Sequence, residues 1–252
     1  MAISNVIEQQ MQRKSVRHFL DRPVDRELLL CLLEAAQHSP TSEFIQAYSV
    51  IQITDPTLRQ RIYQEAAQQE QVLKAPVFLV FCADMSRLLR SAAACGTAVP
   101  PEFLKHTEDF LISSVDAAIL AESFVICAES VGLGTCYVGG IRNNLESVCQ
   151  LLKLPAGVYP LVGMTVGYPD PDQVGSPKPR LPLETVLMEN TYSVDSDTKR
   201  MADYDEMIRH YYLKRTNGER NETWQEQMTD FVLENHRPKL KDTLQKQGFM
   251  LE

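Results

Sequence analysis

The chain has 252 residues, 44% hydrophobic and 23% charged, the balance of an ordinary globular protein with one large domain or one domain plus an appendage. Its 25 basic and 33 acidic residues leave a net charge of −8, which argues against general nucleic-acid binding, because that needs a basic surface to displace counterions. Residues 1–8 lack a basic stretch leading into an apolar core, so no signal peptide is expected. The most apolar long segment, 112–131, carries Asp116, Glu122 and Glu129, and a membrane span rarely tolerates such a load. A cytoplasmic protein without membrane attachment is expected.

Residues 4–12 can form a short helix. Asp25 reads as the N-cap of a helix from Arg26 to Gln37, with Leu28, Leu29, Leu32, Leu33 and Ala36 along one face. After the polar loop Ser39-Pro40-Thr41-Ser42 a strand is expected at 48–53, then a helix from Asp55-Pro56 to about Gln68. Residues 77–83 form a continuous apolar run, the mark of a strand covered on both faces. The stretch 86–107 mixes an alanine run that favours helix with Pro100-Pro101, which favours a break. A long helix over 110–131 ends at Gly132, and a strand follows at 136–138. Asn143 and Glu146 have capping-box spacing ahead of a helix bearing Leu145, Val148, Leu151 and Leu152, and 159–167 is another buried strand. The pattern is α+β or α/β, with a core over 1–182. Residues 183–252 are polar and mostly helical, with a stripe of Tyr204, Met207, Ile208, Tyr211 and Tyr212. That extension cannot build a full core alone and is expected to lie on the core or on another subunit.

Cys31, Cys82, Cys95, Cys127, Cys136 and Cys149 include no C-x-x-C pair and mostly sit in apolar runs, as reduced, packed thiols do. The histidines lack metal-ligand spacing, and neither a Gly-x-Ser-x-Gly elbow nor a His-Glu-x-x-His motif occurs. No metal site and no self-sufficient catalytic side-chain set is expected, which points to chemistry borrowed from a cofactor.

Three places suit an anion. Arg13-Lys14-Ser15-Val16-Arg17 combines planar and point-charge cations with a hydroxyl, although alone it reads more readily as a solvated basic face. The prolines of Pro177-Lys178-Pro179-Arg180-Leu181-Pro182 stiffen the backbone around two cations, although a rigid surface crossing would look the same. Gly132 and Gly134 follow a helix and the next glycine is Gly139, so order and spacing fail the dinucleotide fingerprint. Tyr137-Val138-Gly139-Gly140 still permits close approach of backbone to a flat ligand, or is an ordinary strand-to-helix turn.

Arg-Lys-Ser-Val-Arg-His-Phe at 13–19, Phe-Cys-Ala-Asp at 81–84, Ala-Glu-Ser-Val-Gly-Leu-Gly at 128–134, Tyr-Val-Gly-Gly-Ile-Arg-Asn-Asn at 137–144 and Lys-Pro-Arg-Leu-Pro at 178–182 occur in this order. With Arg237-Pro238 and Lys-Gln-Gly-Phe at 246–249, the chain resembles the FMN-dependent nitroreductase family, in its oxygen-insensitive NADPH nitroreductase and flavin reductase P branch. The resemblance implies a central, mainly antiparallel sheet flanked by helices, and a homodimer around which the helical C-terminal extension wraps. It implies FMN, reduced by NADPH or alternatively NADH, in a ping-pong cycle that passes hydride to flavin N5 and then two electrons to a nitroaromatic, a quinone or free flavin. Carried over by position, Arg13, Lys14, Ser15 and Arg17 would hold the FMN phosphate and ribityl chain. Thr41 and Ser42 would lie beside the flavin and Gln69 at its ribityl or ring edge. Tyr137, Val138, Gly139 and Gly140 would line the ring, and Lys178 and Arg180 would complete the contacts. Arg215 and Arg237 would meet the NADPH phosphates. No side chain is assigned as catalytic, since positioning and charge near the flavin suffice. Two departures stand out: Arg13-Lys14 replaces the family's His-Arg pair, and Glu43 adds a negative charge beside Ser39-Pro40-Thr41-Ser42. Flavin reduction with incidental nitro reduction is the alternative, and a flavin holder without efficient turnover is a more distant one.

Overall fold

A computed structural model describes residues 4–100, 102–193, 198–234 and 237–249. Its helices and strands run α1 (Asn5–Met11), α2 (Arg26–Gln37), β1 (Tyr48–Gln52), α3 (Pro56–Ile62), α4 (Gln71–Lys74), β2 (Val77–Asp84), α5 (Ser86–Ala94) and α6 (Thr107–Ser130). They continue with β3 (Gly134–Val138), α7 (Leu145–Leu151), β4 (Val158–Gly167), α8 (Leu183–Val186), α9 (Thr198–Arg215), α10 (Trp224–Leu233) and α11 (Leu240–Lys246). The chain forms two units, one of residues 1–174 with 237–252, the other of 175–236.

The first unit is built on one sheet in the order β1-β2-β4-β3, every pair antiparallel. This is the expected α+β architecture. β2 is buried at every position, and its period of two divides the apolar run between two cores. Val77, Leu79 and Phe81 face α2 and α6, while Phe78, Val80 and Cys82 face the layer that holds Ile62, Ile141 and Val148. α2 starts where its sequence dictates: Asp25 Oδ1 accepts from the Glu27 and Leu28 amides at 2.8 and 3.0 Å, and Leu29, Leu32 and Ala36 are buried. Residues 237–249, which composition groups with the extension, return to the first unit. There Phe249 packs on Phe110, which also meets Tyr159, at ring-centroid distances of 5.8 and 5.6 Å.

α6 carries the largest share of this core. Ala117, Leu120, Ala121, Phe124, Val125 and Ala128 are buried against the sheet and α2, with the Phe124 and Phe81 rings 6.0 Å apart. By length and composition α6 could cross a membrane, yet its apolar side covers the sheet, and Asp116, Glu122 and Glu129 along it are hydrogen-bonded. Asp116, 1% exposed, accepts from the backbone amides of Ser42 and Ala47 at 3.0 and 3.2 Å. Between those amides the chain turns through left-handed backbone at Glu43, Phe44 and Gln46, with φ of 46°, 61° and 50°. Side chains with a Cβ disfavour that region, so the turn needs an outside anchor, and Asp116 provides it.

The structure departs from the sequence expectations in local detail. The helix from Pro56 stops at Ile62 and passes into a π-turn over Tyr63–Ala67, with Gln68 left-handed at φ 47°. The expected cap at Asn143 moves one residue on. Asn143 already has helical torsions and donates to Gly140 O as part of the turn Gly139–Arg142, whereas Asn144, with non-helical torsions, accepts from the Ser147 amide. Within 86–107, the alanine run wins over the later prolines and forms α5. All six cysteines are free thiols.

In the second unit, Tyr204, Ile208, Tyr211 and Tyr212 of α9 bury against Leu181, Met201 and Trp224. Met207, expected in that stripe, is 53% exposed, because positions 204, 208, 211 and 212 already fill the inward face. α10 begins with a reciprocal capping box between Thr223 and Glu226.

Replacing Asp116 by Ala orphans one buried and one half-buried amide and should cost about 2–4 kcal/mol of stability in urea titration, and Asp116→Asn, which keeps one acceptor, distinctly less. A loss below about 0.5 kcal/mol in the alanine variant would show that Asp116 does not anchor the turn.

Candidate cofactor-binding site

The basic cluster lies along β3. The Val16 amide donates to Thr135 O at 2.9 Å, and Phe19 bridges to Pro169. A Cβ on Gly134 would stand 2.6 Å from a Val16 methyl, so the glycine permits this approach. Arg13 lies 5.7 Å from the centroid of the Tyr137 ring. Its Nε is 3.9 Å from a Glu129 oxygen, too long for a hydrogen bond, and both Nε and Nη2 are buried without a partner. Burial pushes the Glu129 carboxyl up while Arg13 draws it down and Lys14 does so more weakly, which places Lys14 in the same field. Ser15 and Arg17 both act on the buried Cys136 thiol, whose pKa burial nonetheless raises. The Tyr137 hydroxyl donates to Glu122 at 2.9 Å, and burial first, then Glu122, pushes the phenol far up.

Val138, Gly139 and Gly140 continue from Tyr137 into the turn that precedes α7. A Cβ on Gly140 would meet Ala67 O at 2.8 Å and Gln69 Oε1 at 3.1 Å, so this glycine admits the π-turn and brings Gln69 to the end of β3. Gln69 Oε1 is buried and unpartnered. Arg237 reaches the same turn, its Nε donating to Asn143 Oδ1 at 3.2 Å and its Nη2 to Gly139 O at 3.3 Å. Burial and neighbouring Arg142 lower the Arg237 pKa, and Arg142 itself donates to Leu161 O. Arg13, Lys14, Ser15, Arg17, Gln69, Arg237 and the Tyr137–Gly140 backbone therefore gather around β3. Thr41 and Ser42 are tied to α6 through Asp116, and Thr41 Oγ1 is buried without a partner.

Three of the expected residues belong to the second unit. Lys178 Nζ donates to the Tyr212 hydroxyl at 2.5 Å and Arg180 Nη1 to Lys178 O at 3.0 Å, and both line a cavity of about 390 Å³ with Tyr204, Trp224 and Gln227. Arg215, at the end of α9, donates from Nη1 to the Tyr211 hydroxyl at 2.8 Å.

Sequence reasoning missed Asp116, Glu122 and Glu129 as site-building groups. Their signal was present: three carboxylates in an apolar helix must each find a partner when buried. It also missed Arg142, which shares the Gly139–Gly140 turn with Arg237.

Comparison with known proteins places the chain in a family. Residues 11–168 match the nitroreductase family and residues 178–252 the nitroreductase family C-terminal domain. A curated FMN reductase (NADPH) from Bacillus subtilis is 41% identical over 98% of this chain and 99% of its own length. An oxygen-insensitive NADPH nitroreductase from Salmonella typhimurium is 39% identical over 98% and 99%. The solved structure of a B. subtilis nitroreductase superposes with a TM-score of 0.92 at 41% identity, covering 98% of this chain and 99% of that one. The chain belongs to the nitroreductase family.

Proposed function

We propose that this chain is an FMN-dependent NADPH oxidoreductase that reduces nitroaromatics, quinones or free flavin by two electrons. The observation that carries the reading is the set of unpaired polar atoms at residues expected to hold FMN. Arg13 Nε and Nη2 need an acceptor and Gln69 Oε1 needs a donor, while Thr41 Oγ1 can serve as either. FMN carries phosphate acceptors and a ring N–H donor, so the residues fit it. The chemistry supplied by FMN when bound is two-electron exchange between NADPH and an oxidised acceptor.

The chain's own residues bind and orient. Arg13, whose contact with Glu129 is too long to saturate it, keeps donors for an oxyanion, with Lys14, Ser15 and Arg17 beside it. Lys14 supplies a point charge where the family's usual arginine would supply a fork. Tyr137 stays protonated, its hydroxyl committed to Glu122, so it is a fixed wall and not a proton donor to substrate. Gly139 leaves its backbone bare beside the Arg142 and Arg237 guanidiniums, Gly140 lets Gln69 approach the same turn, and Arg237 brings a cation to that edge. On the second unit, Lys178 and Arg180 are cations for a phosphate and Arg215 for the NADPH 2′-phosphate. The flavin-reductase reading has its own support in the FMN reductase relative, with nitro reduction then incidental.

The protein is proposed to be a cytoplasmic homodimer, with the C-terminal extension packing on the partner. Leu111 and Val115 of α6 and Leu30 of α2 are 49%, 53% and 51% exposed, apolar surface that a second copy would cover.

Purified protein should be yellow and should bleach when mixed anaerobically with NADPH, then consume NADPH steadily with a quinone or a nitroaromatic. Bleaching without turnover on any acceptor would favour the flavin holder instead. Arg215→Ala should raise KM for NADPH about tenfold or more while leaving KM for NADH little changed; equal effects on both would remove Arg215 from the 2′-phosphate. Light scattering should return twice the chain mass of 28.5 kDa, and a monomer at micromolar concentration would defeat the dimer.

A further inference from the structure

The second unit contains a chain of polar contacts that ends on Lys178. Tyr212 is 4% exposed, and its hydroxyl sits between two side chains. Lys178 Nζ donates to it at 2.5 Å, and it donates in turn to Gln227 Oε1 at 3.2 Å. A phenol has one proton to give, and giving it to Gln227 leaves the oxygen free to accept from the ammonium. The Arg220 guanidinium lies 3.9 Å from the Tyr212 ring centroid and donates from Nη2 to the same Gln227 oxygen at 2.8 Å. Arg220 is held in turn by Glu222, 2.9 Å from its Nε, and Gln227 by donation to Thr223 O at 2.8 Å. Thr223 is the buried cap residue of α10, so the chain of contacts is rooted in a helix terminus.

The backbone that carries Lys178 is held by the same helix. The Tyr211 hydroxyl donates to Ser176 O and the Tyr204 hydroxyl to Pro179 O, both at 3.3 Å. With Pro177 and Pro179 limiting φ, the strap 176–180 has little freedom left. A free lysine loses much rotamer entropy on meeting a ligand. Here that loss is taken at folding: one ammonium proton is committed to Tyr212 and two remain for an anion.

We infer that Tyr212, fixed by Arg220 and Gln227, is a positioning residue that presents the Lys178 ammonium to the phosphate of a bound ligand. The inference rests on the proposed function. The recognised chemistry is a phosphate monoester, which the FMN 5′-phosphate and the NADPH 2′-phosphate both offer. Each has a natural counterpart without it, riboflavin and NADH.

The test uses the full-length chain and Tyr212→Phe, which keeps the ring and its contacts with Arg220 at 3.9 Å and Lys178 Nζ at 4.9 Å from the centroid, and removes only the hydroxyl. Dissociation constants for FMN and riboflavin are measured on flavin-free protein by fluorescence quenching, and KM for NADPH and NADH on reloaded protein. Tyr212→Phe should weaken the phosphorylated member of one pair about tenfold, the size of losing one hydrogen bond to a charged group, and leave its counterpart within about twofold. The affected pair identifies which phosphate Lys178 holds. In a Lys178→Ala background the same change should have no further effect, because Tyr212 acts only through Lys178. An unchanged pair of ratios, an equal loss within each pair, or the full loss persisting in the Lys178→Ala background would each overturn the inference. A wild-type chain that binds neither flavin and oxidises no NADPH would overturn the functional reading itself, and is told apart because it needs no variant.

Discussion

Three carboxylates on one apolar helix govern where the site parts lie. α6 must bury its apolar side against the sheet, and that places Asp116, Glu122 and Glu129 among groups that have to answer them. Each does so with a different piece of chain. Asp116 takes the amides of Ser42 and Ala47, Glu122 takes the Tyr137 hydroxyl, and Glu129 sits beside Arg13 and Thr135. The desolvation cost of burying a charge thus fixes the loop after α2, the outer face of β3 and the basic cluster relative to one rigid rod. The Arg13–Glu129 contact is the loosest of these, so Arg13 is located without being neutralised.

Backbone approach does the complementary work. Gly134 lets the basic segment lie on β3, and Gly140 lets the turn after α3 close on the strand end. Both sites would clash with a Cβ, one against side chains and the other against a carbonyl. The second unit reaches a comparable result with aromatic residues: hydroxyls of α9 hold a proline-stiffened strap, so its cations are set in place by a helix and not by a loop.

The fold was legible wherever burial has a simple period. The run at 77–83 divides cleanly between two cores, and the Asp25 cap and the Gly132 stop lie where local chemistry puts them. The candidate cations and glycines that gather near β3 stood out as motifs, because they cluster in an acidic chain, whereas Gln69 was reached only through the family resemblance. What failed depended on distant partners. The π-turn at Tyr63–Ala67 breaks a helical pattern to meet Gly140, and nothing within the segment 55–68 announces Gly140. Asn143 lost its cap to Asn144 because the preceding turn had already drawn it into helical torsions. Arg237, paired with Arg215 through the family resemblance, likewise owes its position to distant partners, since it bonds to Gly139 and Asn143.

Asp116 grips the main-chain amides at the two ends of the turn over 43–46, and within it Ile45 alone packs on the buried core. Phe44, 82% exposed, and its neighbour Glu43 are therefore released from any duty in keeping the loop's shape. Shape and surface chemistry are thereby uncoupled at this point of the molecule. Mutation can rewrite what the turn displays, charge, ring or hydroxyl, while a carboxylate buried in another element keeps the path of the chain constant.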